Sequence, residues 1–188
     1  YVRLFLKGVF MNIYLKDLME QDKEFQEIIS PLISNSTVQE MKKYRQHYET
    51  SCFDHCYMAS YYCYLICKRY KLDYKSATRA AMLHDLFLYD WRKREPNRKG
   101  LHAFTHGKTA CENACKLFDL NEKEKDMIIK HMWPVTVAFP KSLEGFILTF
   151  VDKYCAMSES FDIIKSRLFM KKAFRYAYLL LSLIIIKF

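Results

Sequence analysis

Apolar positions along this chain recur mainly at helical spacing. From Leu15 to Ile33 they fall at Leu18, Phe25 and Ile28, a one-sided pattern with Pro31 near its end. Ser36 to Gln39, or Thr37 to Glu40, then reads as a capping box that opens a second, short helix. Ser51 to Tyr70 is densely apolar and aromatic, which predicts a helix buried on most sides. A cap at Ser76 starts another, ending near His84 and Asp85. A basic loop follows from Arg92 to Lys99, where Pro96 and Gly100 break any helix. Thr105 to Phe118, Asn121 to Met132 and Ser142 to Ser158 read as three more helices, with the Asn121 and Glu124 pair and Ser142 as caps. The alternation a strand requires is weak throughout. The expected fold is all-α, a compact helical bundle.

Composition supports that reading. Four Gly and four Pro are too few for an architecture of many tight corners. The 188 residues suit a single domain with a real core, and 51% apolar against 27% charged is a globular balance. No repeat or low-complexity linker divides the chain.

The net charge of +9 resembles a nucleic-acid signal until it is mapped. From Ile163 onward there are six cations and no acid, and the first ten residues add Arg3 and Lys7. The stretch 11–162 then holds 22 cations against 21 acids. The excess belongs mainly to a basic, apolar C-terminal helix expected over 161–188, so the central region carries no strong nucleic-acid signal. Within that tail, Ala177 to Ile186 is an apolar run of ten residues broken only by Ser182, whereas a transmembrane helix needs roughly 20. A closing core helix is the expectation, with no transmembrane segment. Tyr1 to Phe10 resembles neither a signal peptide nor a cleavage site, and Met11 is a candidate start; whether residues 1–10 belong to the native protein stays open.

Seven cysteines lie at 52, 56, 63, 67, 111, 115 and 155. Three pairs are four apart, the spacing of neighbours on one helix face, and no C-x-x-C occurs. They read as reduced, buried thiols acting as small hydrophobes in a cytoplasmic protein, with a cysteine zinc site as the lesser alternative.

The six histidines, at 47, 55, 84, 102, 106 and 131, are the informative residues. A lone helical His is more often a hydrogen-bonded core or surface residue than a ligand. The segment AAMLHDLFLYDW, however, sets His84 and Asp85 directly after an apolar helix. A buried adjacent pair of that kind is costly unless a metal or hydrogen bonds satisfy it, and imidazole nitrogen with carboxylate oxygen is a transition-metal donor set.

The order His55, His84-Asp85, Asp152 resembles the H…HD…D signature of the HD superfamily of metal-dependent phosphohydrolases, with intervals of 29 and 67 residues. TFVDKYCA is similar to the family's last motif. HGKTACENA, from His106, and IIKHMWP, with His131, resemble the segments that supply two extra histidines in its two-metal branches. HDLFLYDW, HAFTH and KHMWP resemble a bacterial subgroup of that family. The likeness covers about residues 45–160 of what reads as one domain over 1–188.

The resemblance implies an all-α HD bundle in which His55, His84, Asp85 and Asp152 bind a first metal. Asp85, the catalytic carboxylate, would bridge to a second metal completed by His106 and His131. One or two divalent transition ions are implied, Mn, Fe, Co, Ni or Zn, with Mg also admissible. The implied reaction is attack of a metal-activated hydroxide on a small phosphorylated substrate, foremost a nucleotide. His102, Arg92, Lys108, Lys130 and Lys153 are candidates for the substrate side, and His47 for a structural hydrogen bond. Some nucleotidase branches carry a Glu three residues after the HD Asp; here Leu88 stands there, with Asp90 the nearest acid, which speaks against their nucleoside-monophosphate activity. The residues of the alarmone hydrolases and the Gly-Tyr-Pro of the cyclic-dinucleotide branch are also absent. Two alternatives stay open: a di-iron oxygenase on the same six ligands, and a non-catalytic metal-bearing sensor or scaffold whose tail docks a partner or a membrane surface. Oligomeric state is not legible.

Overall fold

The computed structural model describes residues 15–47, 50–93 and 100–159. The expected C-terminal helix, the opening ten residues and most of the basic loop lie outside the described residues.

The fold is all-α and compact. Helix α1 (15–21) is followed by α2 (Lys23–Ile33), α3 (Ser36–Gln39) and a 3-10 turn (Glu40–Lys43). Two short antiparallel strands, β1 (Arg45–His47) and β2 (Thr50–Ser51), lead into α4 (Cys52–Arg69). Then come α5 (Tyr74–Leu83), α6 (His102–Leu117), α7 (Glu122–Lys130) and α8 (143–159).

Caps account for most of the differences from the sequence pattern. The single helix expected over Leu15 to Ile33 divides at Asp22, whose carboxylate accepts from Phe25 N at 3.1 Å and so starts a new helix. Asn35 rather than Ser36 or Thr37 caps α3, accepting from Thr37 N at 2.9 Å. Asp73 rather than Ser76 caps α5, by accepting from Ser76 N at 3.1 Å. In each case an Asx side chain just upstream outcompetes the hydroxyl. The expected box on α7 forms: Asn121 Oδ1 accepts from Glu124 N at 2.8 Å, and Glu124 Oε2 accepts from Asn121 N at 2.9 Å. Ser142 Oγ likewise accepts from Gly145 N at 3.1 Å at the head of α8.

Helix α4 is the spine, burying residues on several sides, and it packs along α5. Ala77, Ala80 and Ala81 of α5 are fully buried, and side chains this small let packed helices come close. Helix α7 packs on both α5 and α6. These contacts bring the C-terminal ends of α5 and α7 to one level of the bundle, beside the start of α6. All seven cysteines are free; six are buried in the expected manner, and Cys115 is exposed. No helix among the described residues is long and apolar enough to cross a membrane.

An aromatic knot holds α2 on α4. Phe25 is fully buried against Tyr57, Tyr61 and Tyr64. Glu24 closes its edge, accepting from Tyr74 OH at 2.7 Å, from Tyr64 OH at 3.2 Å and from the Lys68 ammonium. The Lys68 ammonium, with Tyr74, holds the Glu24 carboxyl down to about 2 from its ordinary 4.5. A depressed carboxyl stabilises the fold above its unfolded-state value and ceases to do so as pH falls through its folded value. Glu24→Gln is therefore expected to be less stable than wild type at pH 7, by an amount that shrinks between pH 4.5 and about 2. Urea denaturation at several pH values measures it; equal stabilities at pH 7 would refute the assignment.

Candidate metal centre

Five helices deliver side chains to one buried point. His55 lies in the first turn of α4, His84 and Asp85 directly follow α5, and His106 is on the first turn and a half of α6. His131 caps the C-terminus of α7, and Asp152 sits mid-way along α8. His84 and Asp85 are 0% and 1% exposed, and the other four are also buried.

The outward nitrogen of each imidazole is tied down. Nδ1 of His84 donates to Ala81 O at 2.7 Å, that of His106 to His102 O at 2.7 Å, and that of His131 to Ile128 O at 2.8 Å. Nδ1 of His55 lies 3.0 Å from Glu159 Oε1. A carbonyl oxygen only accepts, so these bonds put a proton on Nδ1 and leave Nε2 of a neutral ring as a bare lone pair. All four Nε2 atoms face inward. Those of His106 and His131 are 2.9 Å apart, and each also faces Asp85 Oδ1, at 3.3 and 3.6 Å. His84 Nε2 lies 3.4 Å from Asp85 Oδ2 and 3.6 Å from Asp152 Oδ1, while His55 Nε2 is 3.1 Å from Asp152 Oδ1.

Lone pairs packed this way repel unless a cation lies among them. His84 Nε2 and Asp85 Oδ1 are also buried without a hydrogen-bond partner, an arrangement that costs on the order of 1–3 kcal/mol per group if nothing answers it. Three triads fall within one ion's reach, Cys52-Cys56-Asp85, His55-His84-Asp85 and Asp85-His106-His131, each with its donor atoms inside 4.8 Å. Asp85 belongs to all three, and the two histidine triads share no other residue. The buried His/Asp cluster can hold a metal ion.

The electrostatics agree. Burial raises the Asp85 carboxyl, but His84, His106 and His131 together hold it well below the usual carboxylate range. Asp152 is likewise held low against burial by His55 and His84. Burial drives His131 down to about 3, helped by the neighbouring His84 and His106, so this ring is neutral and ready to bind. His55 and His84 go the other way: burial opposes their charge, yet Asp152 and Glu159 at the first, and Cys56 and the carboxylates at the second, lift them well above normal. Protons there do the neutralising that a metal would take over.

A cavity of about 350 Å³ opens onto Asp85, His106, His131 and Asp152. Its wall includes Trp91, which stacks on His102 at 5.4 Å, and His102 in turn stacks on His106 at 4.4 Å. Tyr89 OH, 3.0 Å from His102 Nδ1, fixes the middle ring. Of the candidate substrate-side residues, His102 and Lys153 line this cavity. Three do not. Lys108 is two residues past His106, about 200° around the helix, and pairs with Glu112. Lys130 is a residue before His131 and pairs with Asp126. Arg92 turns back onto Asp90, so Asp90 is itself engaged at the surface and does not replace the carboxylate missing at Leu88. Leu88 takes a left-handed conformation (φ 56°) in the turn after the His-Asp pair.

Three residues of the site were not singled out from sequence. Gln46, on the three-residue strand β1, and Trp91, on an irregular segment, reach the cavity and leave no periodic trace. Glu159 was legible in principle: it lies seven residues after Asp152, two turns along α8 and on the same face.

No family model matches this chain, no curated protein matches it, and no solved structure matches its fold.

Proposed function

We propose that the protein is a two-metal phosphohydrolase of the HD superfamily, acting on a small phosphorylated metabolite, with nucleotides as the leading class. The observation carrying this reading is Asp85, a single buried carboxylate whose two oxygens face two separate sets of inward imidazole nitrogens. His55, His84, Asp85 and Asp152 would hold one ion, and Asp85, His106 and His131 the other. Four imidazoles and two carboxylates suit Mn, Fe, Co, Ni or Zn better than Mg, which prefers an oxygen shell. Such a pair supplies Lewis-acid activation of water and of the phosphoryl oxygens.

The chain's own residues do the rest. Nδ1 bonds to backbone carbonyls hold the rings in place, so no reorganisation is needed on substrate entry. Lys153 donates to His131 O at 3.1 Å and Thr149 O at 3.2 Å, which places a cation at the cavity beside the ligands. Burial lowers its pKa, and Asp152 opposes that shift. The stacked rings of Trp91 and His102 offer a flat wall to a planar group. At about 350 Å³ the cavity suits a small molecule rather than a polymer.

The test is a screen of phosphorylated metabolites for phosphate release, with Mn, Co, Ni, Fe, Mg and Zn added separately to metal-stripped protein. Turnover is expected with the first-row ions, lost on chelation and restored by metal. Metal uptake without phosphate release from any substrate would overturn the hydrolase reading.

A further inference from the structure

Gln46 belongs to no ligand set, yet it touches the central carboxylate. Its side-chain Nε2 donates to Asp85 Oδ2 across 39 residues of sequence. The residue is 9% exposed and lines the cavity beside Asp85, and its carbonyl Oε1 is buried with no hydrogen-bond partner.

We propose that Gln46 is a positioning residue of the metal centre: its amide N–H fixes Asp85 Oδ2, so that the carboxylate is divided between the two histidine triads. The proposal rests on the metal-centre reading above. The terminal torsion of an aspartate is broad and selects no one orientation of its oxygens. The imidazoles around Asp85 reach both of its oxygens, Oδ2 from His84 at 3.4 Å and Oδ1 from His106 and His131, so they do not by themselves choose between its two flips. Gln46 brings a donor that does not titrate and adds no charge. With Oδ2 held, Oδ1 is left facing His106 and His131 at 3.3 and 3.6 Å.

The local fold is built to keep Gln46 there. It is the middle residue of β1, whose neighbours pair Arg45 with Ser51 and His47 with Thr50. Cys52 N donates to Tyr44 O at 2.8 Å, joining the strand to the head of α4. Trp91 Nε1 donates to Arg45 O at 3.2 Å, joining it to the segment after α5. The pair of strands thus serves as a mount for one amide. A glutamine kept only for packing would have both ends satisfied; this one leaves its carbonyl unanswered at the cavity wall, a cost an apolar side chain would avoid.

The experiment compares full-length wild type with Gln46→Met, which matches length and shape, and with Gln46→Leu. Metal-stripped protein is titrated with Co²⁺, followed by calorimetry and by the cobalt electronic spectrum, with circular dichroism as the fold control. Both variants are expected to keep the helical signal, to bind Co²⁺ roughly 10–100-fold more weakly, and to show a shifted cobalt band. Wild-type affinity and spectrum in Gln46→Met would overturn the proposal. Loss of the folded signal in both variants would also overturn it, by making Gln46 a structural residue. Wild type that binds Co²⁺ but releases no phosphate from any substrate would sink the hydrolase reading alone, since the cobalt comparison still decides the role of Gln46.

Discussion

On the proposed two-metal hydrolase reading, Asp85→Asn is expected to fold, to retain at most one weakly held metal, and to lose at least about two orders of magnitude of hydrolytic rate, the scale of removing one preorganised electrostatic group. The substitution keeps shape and volume at a position 1% exposed, so packing is not disturbed. An amide oxygen can still accept from Gln46. What disappears is the negative charge that faces the Nε2 atoms of His84, His106 and His131 between 3.3 and 3.6 Å. Both histidine triads depend on that one residue, so neither keeps its full donor set. Metal analysis after dialysis and turnover on the best substrate of the screen measure the two effects. Wild-type metal content and rate in this variant would remove the central claim.

Gly107→Ala is expected to show the opposite of what the same change does on an exposed helix. Glycine inside a helix normally costs about 1 kcal/mol relative to alanine, so substitution there stabilises. Here the new Cβ would stand 2.9 Å from both Ile128 O and Ile129 O, and 3.4 Å from His131 Cε1. Two of these atoms are backbone at the end of α7 and have no rotamer to escape into. Helix α6 must move outward, and overpacking of this kind costs about 1–3 kcal/mol. Because His106 precedes Gly107, the same movement opens the distance between His106 and His131. Ligand distances tolerate only about 0.2 Å, so metal binding should suffer more than stability. Urea midpoints and metal stoichiometry report the two quantities. Increased stability with unchanged stoichiometry would show that the close contact between α6 and α7 is not what sets the triad of Asp85, His106 and His131.

Much of this centre was legible in the sequence because ligand identity is a matter of residue type and order. His55, His84, Asp85, His106, His131 and Asp152 stand out by type and order alone, and the fold brings all six together. The helices were legible because apolar spacing is a direct record of burial, as for α4 and α8. Caps were less so, since Asn35 and Asp73 stand next to hydroxyl residues that can serve the same purpose. Lys153 lines the cavity, but Lys108 and Lys130 lie outside it for a different reason. Lys108 and Lys130 are close to ligands along the chain, but a residue or two along a helix is a rotation of 100–200°. Gln46 was invisible because three residues of strand carry no period, and its importance comes from a partner far away in sequence.

The spread of these six residues along the chain also sets a timetable. His55 and Asp152 are 97 residues apart, and chains are made and begin to fold from the N-terminus. The triad of Asp85, His106 and His131 has all its members once synthesis passes position 131. The other half gains Asp152 only when α8 has been made and has docked against α4. On the proposed two-metal reading, ion capture during biogenesis would be staggered: one half of the centre would be ready while the other still awaited the carboxylate from α8.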